Sequence, residues 1–287
     1  MKFSTLQTFL AVSIVVIIGI FLGYLAQQPK GDMLDVEVTG DFAAPVAVKV
    51  HGKIPDYLQK DQLIKGDGAI VSEGAQVLFR VSNFAYTRSQ YLTVLNDATV
   101  KSSTARKEDL GELYPLIENM REGSRIVAVF PEKNRASAEI VVLDILPTVI
   151  RGENKAAGTL PSGIAVETDE KGIPTVSAQG GTFTQEQIAT LIHGEGEQIV
   201  NGDKIYANYL IADSSGNLQE STYGNSTLAF IDTTQVFSGL SRAIVDQRIG
   251  SRVVAAIPST EARGSGDVII VLDILARASH QNSQGGS

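Results

Sequence analysis

The chain contains no cysteine and no tryptophan. The first absence excludes disulfides, thiolate metal sites, a cysteine nucleophile and a lipidated N-terminal cysteine. Histidine is scarce: the three present, His51, His193 and His280, have no partner spacing for zinc, and loop or surface placement is expected. Basic residues form no run or stripe and the formal net charge is −8, so no nucleic-acid partner is expected. No Ser/His/Asp set with a recognisable nucleophile turn is present. The glycine pairs Gly66/Gly68 and Gly194/Gly196 lack the third glycine and the helix of a dinucleotide site, and they read as turn residues. Neither a cofactor nor a metal is expected.

What the chain does have is repetition. Gly123-Ser-Arg-Ile-Val-Ala-Val-Phe-Pro131 returns as Gly250-Ser-Arg-Val-Val-Ala-Ala-Ile-Pro258, and Val141-Val-Leu-Asp-Ile-Leu146 returns as Ile270-Val-Leu-Asp-Ile-Leu275. Upstream, Gly66-Asp-Gly68 with Gly74 is matched by Gly194-Glu-Gly196 with Gly202. Each motif recurs about 128 residues later, far beyond a solenoid period of a few tens of residues, so the unit repeated is a whole domain. A chain of 287 residues has room for two such domains, each able to bury its own core.

The single long apolar run is Phe9–Ala26, with Lys2 before it and Lys30 after. About 18 residues at ~1.5 Å rise cover roughly 27 Å, close to the ~30 Å hydrocarbon core of a bilayer. The expectation is a membrane anchor that leaves the domains on the extracytoplasmic side. A cleaved signal peptide is the alternative, although Tyr24-Leu-Ala26 is a poor cleavage site. The organisation expected is anchor and stalk over 1–32, a first domain over 33–150, a linker over 151–163, a second domain over 164–278 and a disordered tail over 279–287. The linker reading rests on a polar, glycine-containing stretch without apolar period.

Strand signals dominate both copies. Gln76–Val81 and Lys204–Tyr209 follow glycine turns, Arg125–Phe130 and Arg252–Ile257 are apolar runs stopped by proline, and Glu139–Leu146 and Asp267–Leu275 close each copy. One helix per copy is expected. In the second, Ser238 caps a segment in which Leu240, Ala243 and Ile244 share a face, ended at Gly250. In the first, Leu113, Leu116, Ile117 and Met120 form the equivalent stripe. The fold class is α+β, an antiparallel sheet wrapped over a short helix, twice.

The order of these pieces resembles the FKBP-type peptidyl-prolyl cis-trans isomerases over roughly 66–146 and 194–275. The resemblance implies a hydrophobic pocket between sheet and helix that receives a proline ring, and a rotamase activity in protein folding that needs no nucleophile. Transferred position by position, it implies Tyr209, Glu220, Val236, Phe237 and Leu240 as the catalytic set. Tyr209, Gln219, Phe237, Arg263 and Ile270 are the implied substrate contacts. Tyr209 falls on the family's pocket tyrosine, and Val236, Phe237 and Gly239 fall on the stretch that leads into the helix. Leu240 replaces the tryptophan floor, Gln219 replaces a phenylalanine, and Arg263 replaces a tyrosine whose hydroxyl contacts the substrate carbonyl.

The first copy departs further. Val81 stands where Tyr209 does, Leu113 at the tryptophan position and Glu112 in place of Gly239. The expectation is therefore a weak isomerase site in the second copy, acting on proline-containing unfolded or extended polypeptides, beside a first copy without that pocket. The alternative is a non-catalytic peptide-binding, chaperone or envelope-assembly module. Phe9–Ala26 is the expected membrane contact.

Overall fold

The computed structural model describes residues 33–152, 160–225, 227–264 and 266–278. The expected anchor at Phe9–Ala26, the tail and the middle of the linker lie outside these residues. Among the described residues, no helix is long and apolar enough to cross a membrane.

The protein is mostly sheet. The first half contains β1 (Leu34–Thr39), β2 (Ala47–Gly52), β3 (Gln59–Ile64), β4 (Gln76–Thr87), β5 (Leu92–Thr104), β6 (Arg125–Pro131) and β7 (Ser137–Leu146). Strands β3-β6-β7-β4-β5 form one antiparallel sheet, and β1-β2 form a separate hairpin. The second half repeats this plan with β8 (Ile164–Thr168), β9 (Pro174–Ala178), β10 (Gln187–Ile192), β11 (Lys204–Asp213), β12 (Leu218–Ser221), β13 (Ala229–Asp232), β14 (Arg252–Ile257) and β15 (Val268–Arg277). Here β10-β14-β15-β11-β12 form the sheet, β13 also pairs with β11, and β8-β9 form the hairpin.

The continuous apolar runs of β14 and β15 reflect a sheet covered on both faces, since a half-exposed strand would alternate with polar residues. Val253, Ala255, Ile257, Ile270 and Leu272 point to the helix side. Val254, Ala256, Ile269 and Val271 point to the other side, where Ile164, Val166, Val176 and Ala178 of the β8-β9 hairpin cover them. The first half does the same with Val127, Val129, Ile140 and Val142 beneath Leu34, Val38 and Val48 of β1-β2. Burying each large aliphatic side chain contributes about 1.5–3 kcal/mol.

One buried ion pair recurs in both halves and ties sheet to hairpin side. Arg125 and Asp144 meet at 2.6 Å, and so do Arg252 and Asp273. Arg125 donates to the carbonyls of Gly40 and Asp41 while Asp144 accepts the Ala43 N–H. In the second half Arg252 donates to the carbonyls of Ile150 and Gly172, and Asp273 accepts the Ile150 N–H at 3.0 Å. The receptor filled by the β1-β2 turn in the first half is thus filled in the second jointly by the β8-β9 turn and by the end of the first half. The side-chain amide of Asn208 also donates to the Thr148 carbonyl at 2.7 Å. Leu78, Val100, Leu146 and Ile150 form a shared apolar seam with Leu228, Leu275 and Ala276. The second half's contacts therefore reach back through the start of the expected linker to Thr148.

The helices differ from expectation. In the second half α3 is Ser238–Ile244, with Phe237 at the cap position and no side-chain cap bond, so Ser238 is the first helical residue and not the cap. The helix stops at Val245, well before Gly250. In the first half the stripe is broken into α1 (Lys107–Leu110), a 3₁₀ turn over Gly111–Leu113 and α2 (Tyr114–Ile117). Gly111 sits at φ 55°, and Pro115 starts a new turn because it lacks the N–H to continue the old one. Leu116 and Ile117 still reach the core.

The paired glycines serve close approach, not a turn of positive φ. A Cβ at Gly66 would lie 2.1 Å from the Glu122 carbonyl oxygen, and one at Gly194 would lie 2.3 Å from that of Ile249.

Candidate functional site

The inner face of the second sheet is only partly covered, because α3 is short. What remains open is a cleft of about 1030 Å³. All eight residues singled out from the sequence line it: Tyr209, Gln219, Glu220, Val236, Phe237, Leu240, Arg263 and Ile270. Their elements explain how they converge. Tyr209 and Ile211 are alternate residues of β11 facing the helix side, and Val268 and Ile270 do the same on β15. The neighbouring β12 brings Gln219 and Glu220, with Glu220 opposite Ile211.

Tyr209 is fixed by its backbone as well as by its ring. Its N–H donates to Thr222 Oγ1 at 2.9 Å, and its carbonyl accepts the Thr222 N–H at 2.9 Å. Thr222 Oγ1 donates in turn to the side chain of Asn208. This bridge spans the gap between β13 and β12 along the edge of β11. The Tyr209 hydroxyl donates to Glu220. Partial burial first, and the Glu220 carboxylate second, push the phenol pKa up to about 12. Tyr209 is therefore a neutral, oriented ring across the physiological range.

The helix side of the cleft depends on Gly239. A Cβ there would lie 2.4 Å from Ile257 Cγ2, so only glycine lets the first turn of α3 rest on β14. The Gly239 N–H donates to the Glu261 carbonyl at 3.1 Å. Arg242 of α3 pairs with Glu186 at 2.6 Å and with Glu261. The N–H groups of Glu261 and Ala262 both donate to the Pro258 carbonyl, closing a short turn. These bonds hold the 258–262 turn against α3 and set Arg263 at the rim, while Leu240 descends to the floor.

Sequence reasoning did not single out Ile211, Ala229, Phe230, Ile231, Gln235, Ala262 and Val268, which also line the cleft. The alternation of β11 and β15 carried the signal for Ile211 and Val268. The resulting walls are mainly aliphatic, with polar groups gathered at the mouth. Such a chamber can desolvate an apolar ring and orient a backbone amide, and it presents no nucleophile activated by a base.

The equivalent place in the first half is a smaller cleft of about 530 Å³. Val81, Leu113 and Val141 occupy the positions of Tyr209, Leu240 and Ile270. Asn83 and Glu139 replace Ile211 and Val268, and their side chains hydrogen-bond to each other. Glu112, Lys101 and Asn96 complete a polar lining that disfavours an apolar ring.

No protein-family model matches the chain, and no curated protein does. Several solved structures are similar to it in part. The three FKBP domains of wheat FKBP73 align at 14% identity and TM-score 0.31, over 77% of this chain and 94% of that one. FkpA from Escherichia coli aligns at 16% and 0.32, over 41% of this chain and 53% of that one. A peptidyl-prolyl cis-trans isomerase from Pseudomonas syringae aligns at 15% and 0.31, over 42% and 84%. At this level of superposition none of them assigns the chain to a family.

Proposed function

We propose that the second domain is a peptidyl-prolyl cis-trans isomerase site of FKBP type with low activity, serving proline-containing unfolded polypeptides. One observation carries the reading: eight residues chosen by family position converge on one cleft with aliphatic and aromatic walls and a polar mouth, with Tyr209 held by Glu220 on its wall. Rotation about an X–Pro bond faces a barrier of about 18–20 kcal/mol, while the two isomers differ by only ~0.5–1 kcal/mol. Lowering the barrier requires no bond to be broken. An apolar chamber that strips water from the imide favours the twisted, less conjugated bond over the planar ones.

Leu240 at the floor and Arg263 at the rim favour a second reading, in which the cleft holds extended peptides without accelerating rotation. The division into domains over 33–150 and 164–278 is part of the same proposal, as is an N-terminal anchor that puts both domains on the extracytoplasmic side. Refolding of a proline-limited substrate tests the choice. The full chain should accelerate the slow phase and Tyr209→Ala should remove most of the effect. Binding of the substrate with an unchanged slow phase would select the second reading.

A further inference from the structure

At the mouth of the second-domain cleft stands a charge, Arg263, that has no ion-pair partner among the described residues. Glu220 accepts the Tyr209 hydroxyl. Glu186 and Glu261 share Arg242. Asp267 accepts the N–H groups of Phe183 at 2.6 Å and Ser259 at 2.8 Å. Each carboxylate beside the lining residues thus has a donor of its own. Arg263 is exposed at the rim and makes no hydrogen bond or ion pair with any described residue. The turn that precedes it is closed on Pro258 and tied to α3 through Gly239 and Arg242.

A guanidinium carries five donors in a planar fork and no acceptor, and its best complement is a carboxylate taken by two parallel bonds. We infer that the cleft selects proline segments flanked by an acidic residue, whose carboxylate Arg263 holds at the rim. The inference rests on the prolyl reading of the cleft and adds a substrate class to it. A second effect opposes it. Glu186, Glu220, Glu261 and Asp267 outnumber Arg242 and Arg263 around the mouth, so the field there disfavours an acid at a distance. At about 0.15 M salt that field is damped beyond ~8 Å, whereas a bidentate contact at hydrogen-bond distance is damped far less. The contact therefore decides selectivity, by roughly 1.5- to fivefold in affinity for an exposed pair.

The test is an NMR titration of the full chain at that salt with short peptides that differ only beside the proline, carrying Glu, Gln or Lys on either side. The Glu peptide should bind roughly 1.5- to fivefold tighter than the Gln peptide. The Glu-to-Gln affinity ratio should fall to about one or below in Arg263→Gln, and Arg263→Glu should favour the Lys peptide. Binding of the Gln peptide in the cleft with no preference for Glu, or with a preference for Lys, would overturn the acidic selectivity alone. Failure of all three peptides to shift the resonances of Tyr209 and Val236 would overturn the prolyl reading and the selectivity with it.

Discussion

Replacing Asp273 with alanine should unfold the second domain far more readily than its single missing carboxylate suggests. Asp273 accepts Arg252 Nε at 2.6 Å and Nη2 at 2.8 Å, together with the Ile150 N–H at 3.0 Å. Arg252 is 0% exposed, so the substitution strands a buried guanidinium with only oxygen dipoles around it. Breaking a buried pair from one side costs about 3–5 kcal/mol, against about 5–15 kcal/mol for the whole stability of a domain. With a urea dependence of ~1–3 kcal/mol per molar, the transition should move down by roughly 2 M. The chain has no tryptophan, so far-UV circular dichroism is the suitable probe. The apolar pair Arg252→Met with Asp273→Leu should recover much of the loss, because it strands no charge. A shift below about 0.5 M for Asp273→Ala would refute the claim that this pair joins the end of the first half to the second sheet.

Three further outcomes follow from the cleft and its supports. Leu240→Trp, which puts an indole on the floor, should raise isomerase activity about tenfold, the worth of one packed aromatic contact. Gly239→Ala should cost about 1–3 kcal/mol through the clash with Ile257, seen as a lower thermal midpoint and weaker peptide binding. The Asp267 carboxyl is held below its ordinary value, first by the Phe183 N–H and then by that of Ser259. Its contribution is fully present above the unfolded pKa of about 3.9 and is lost as pH falls through the lower folded value, so Asp267→Asn should reduce stability at neutral pH and flatten the acid limb of a thermal-midpoint profile.

The paired copies and the central strands were legible in the sequence because they rest on apolar periodicity and on motifs seen twice, whereas the cleft residues came from the family resemblance alone. Val253–Ile257 and Val268–Leu272 are unbroken apolar segments, which only a doubly covered strand tolerates. The hairpins β1-β2 and β8-β9, which cover the second face, were not read, since short half-exposed strands leave weak signals. The edge strand β3, Gln59–Ile64, is polar at most positions and gave none. Arg125 and Arg252 were visible as a repeated motif, but arginine is rarely fully buried and sequence alone did not place it inside. Ser238 is an apt cap residue that the chain leaves unused, because Phe237 must take the extended position that aims it at the cleft. Glycines at 66 and 194 show the same limit: two backbones in contact look like a turn when only one is in view.

The central claim is that the second-domain cleft twists X–Pro bonds. Its most direct measurement is cis/trans exchange of a short proline peptide, followed by NMR exchange spectroscopy with substoichiometric full-length chain. Val236 lines the cleft and is only partly buried, so Val236→Asp should wet the chamber without emptying the core. Exchange that is faster with the full chain, and returns to the uncatalysed rate with folded Val236→Asp, is the result expected. Equal exchange rates with the chain, with Val236→Asp and with neither would contradict the claim.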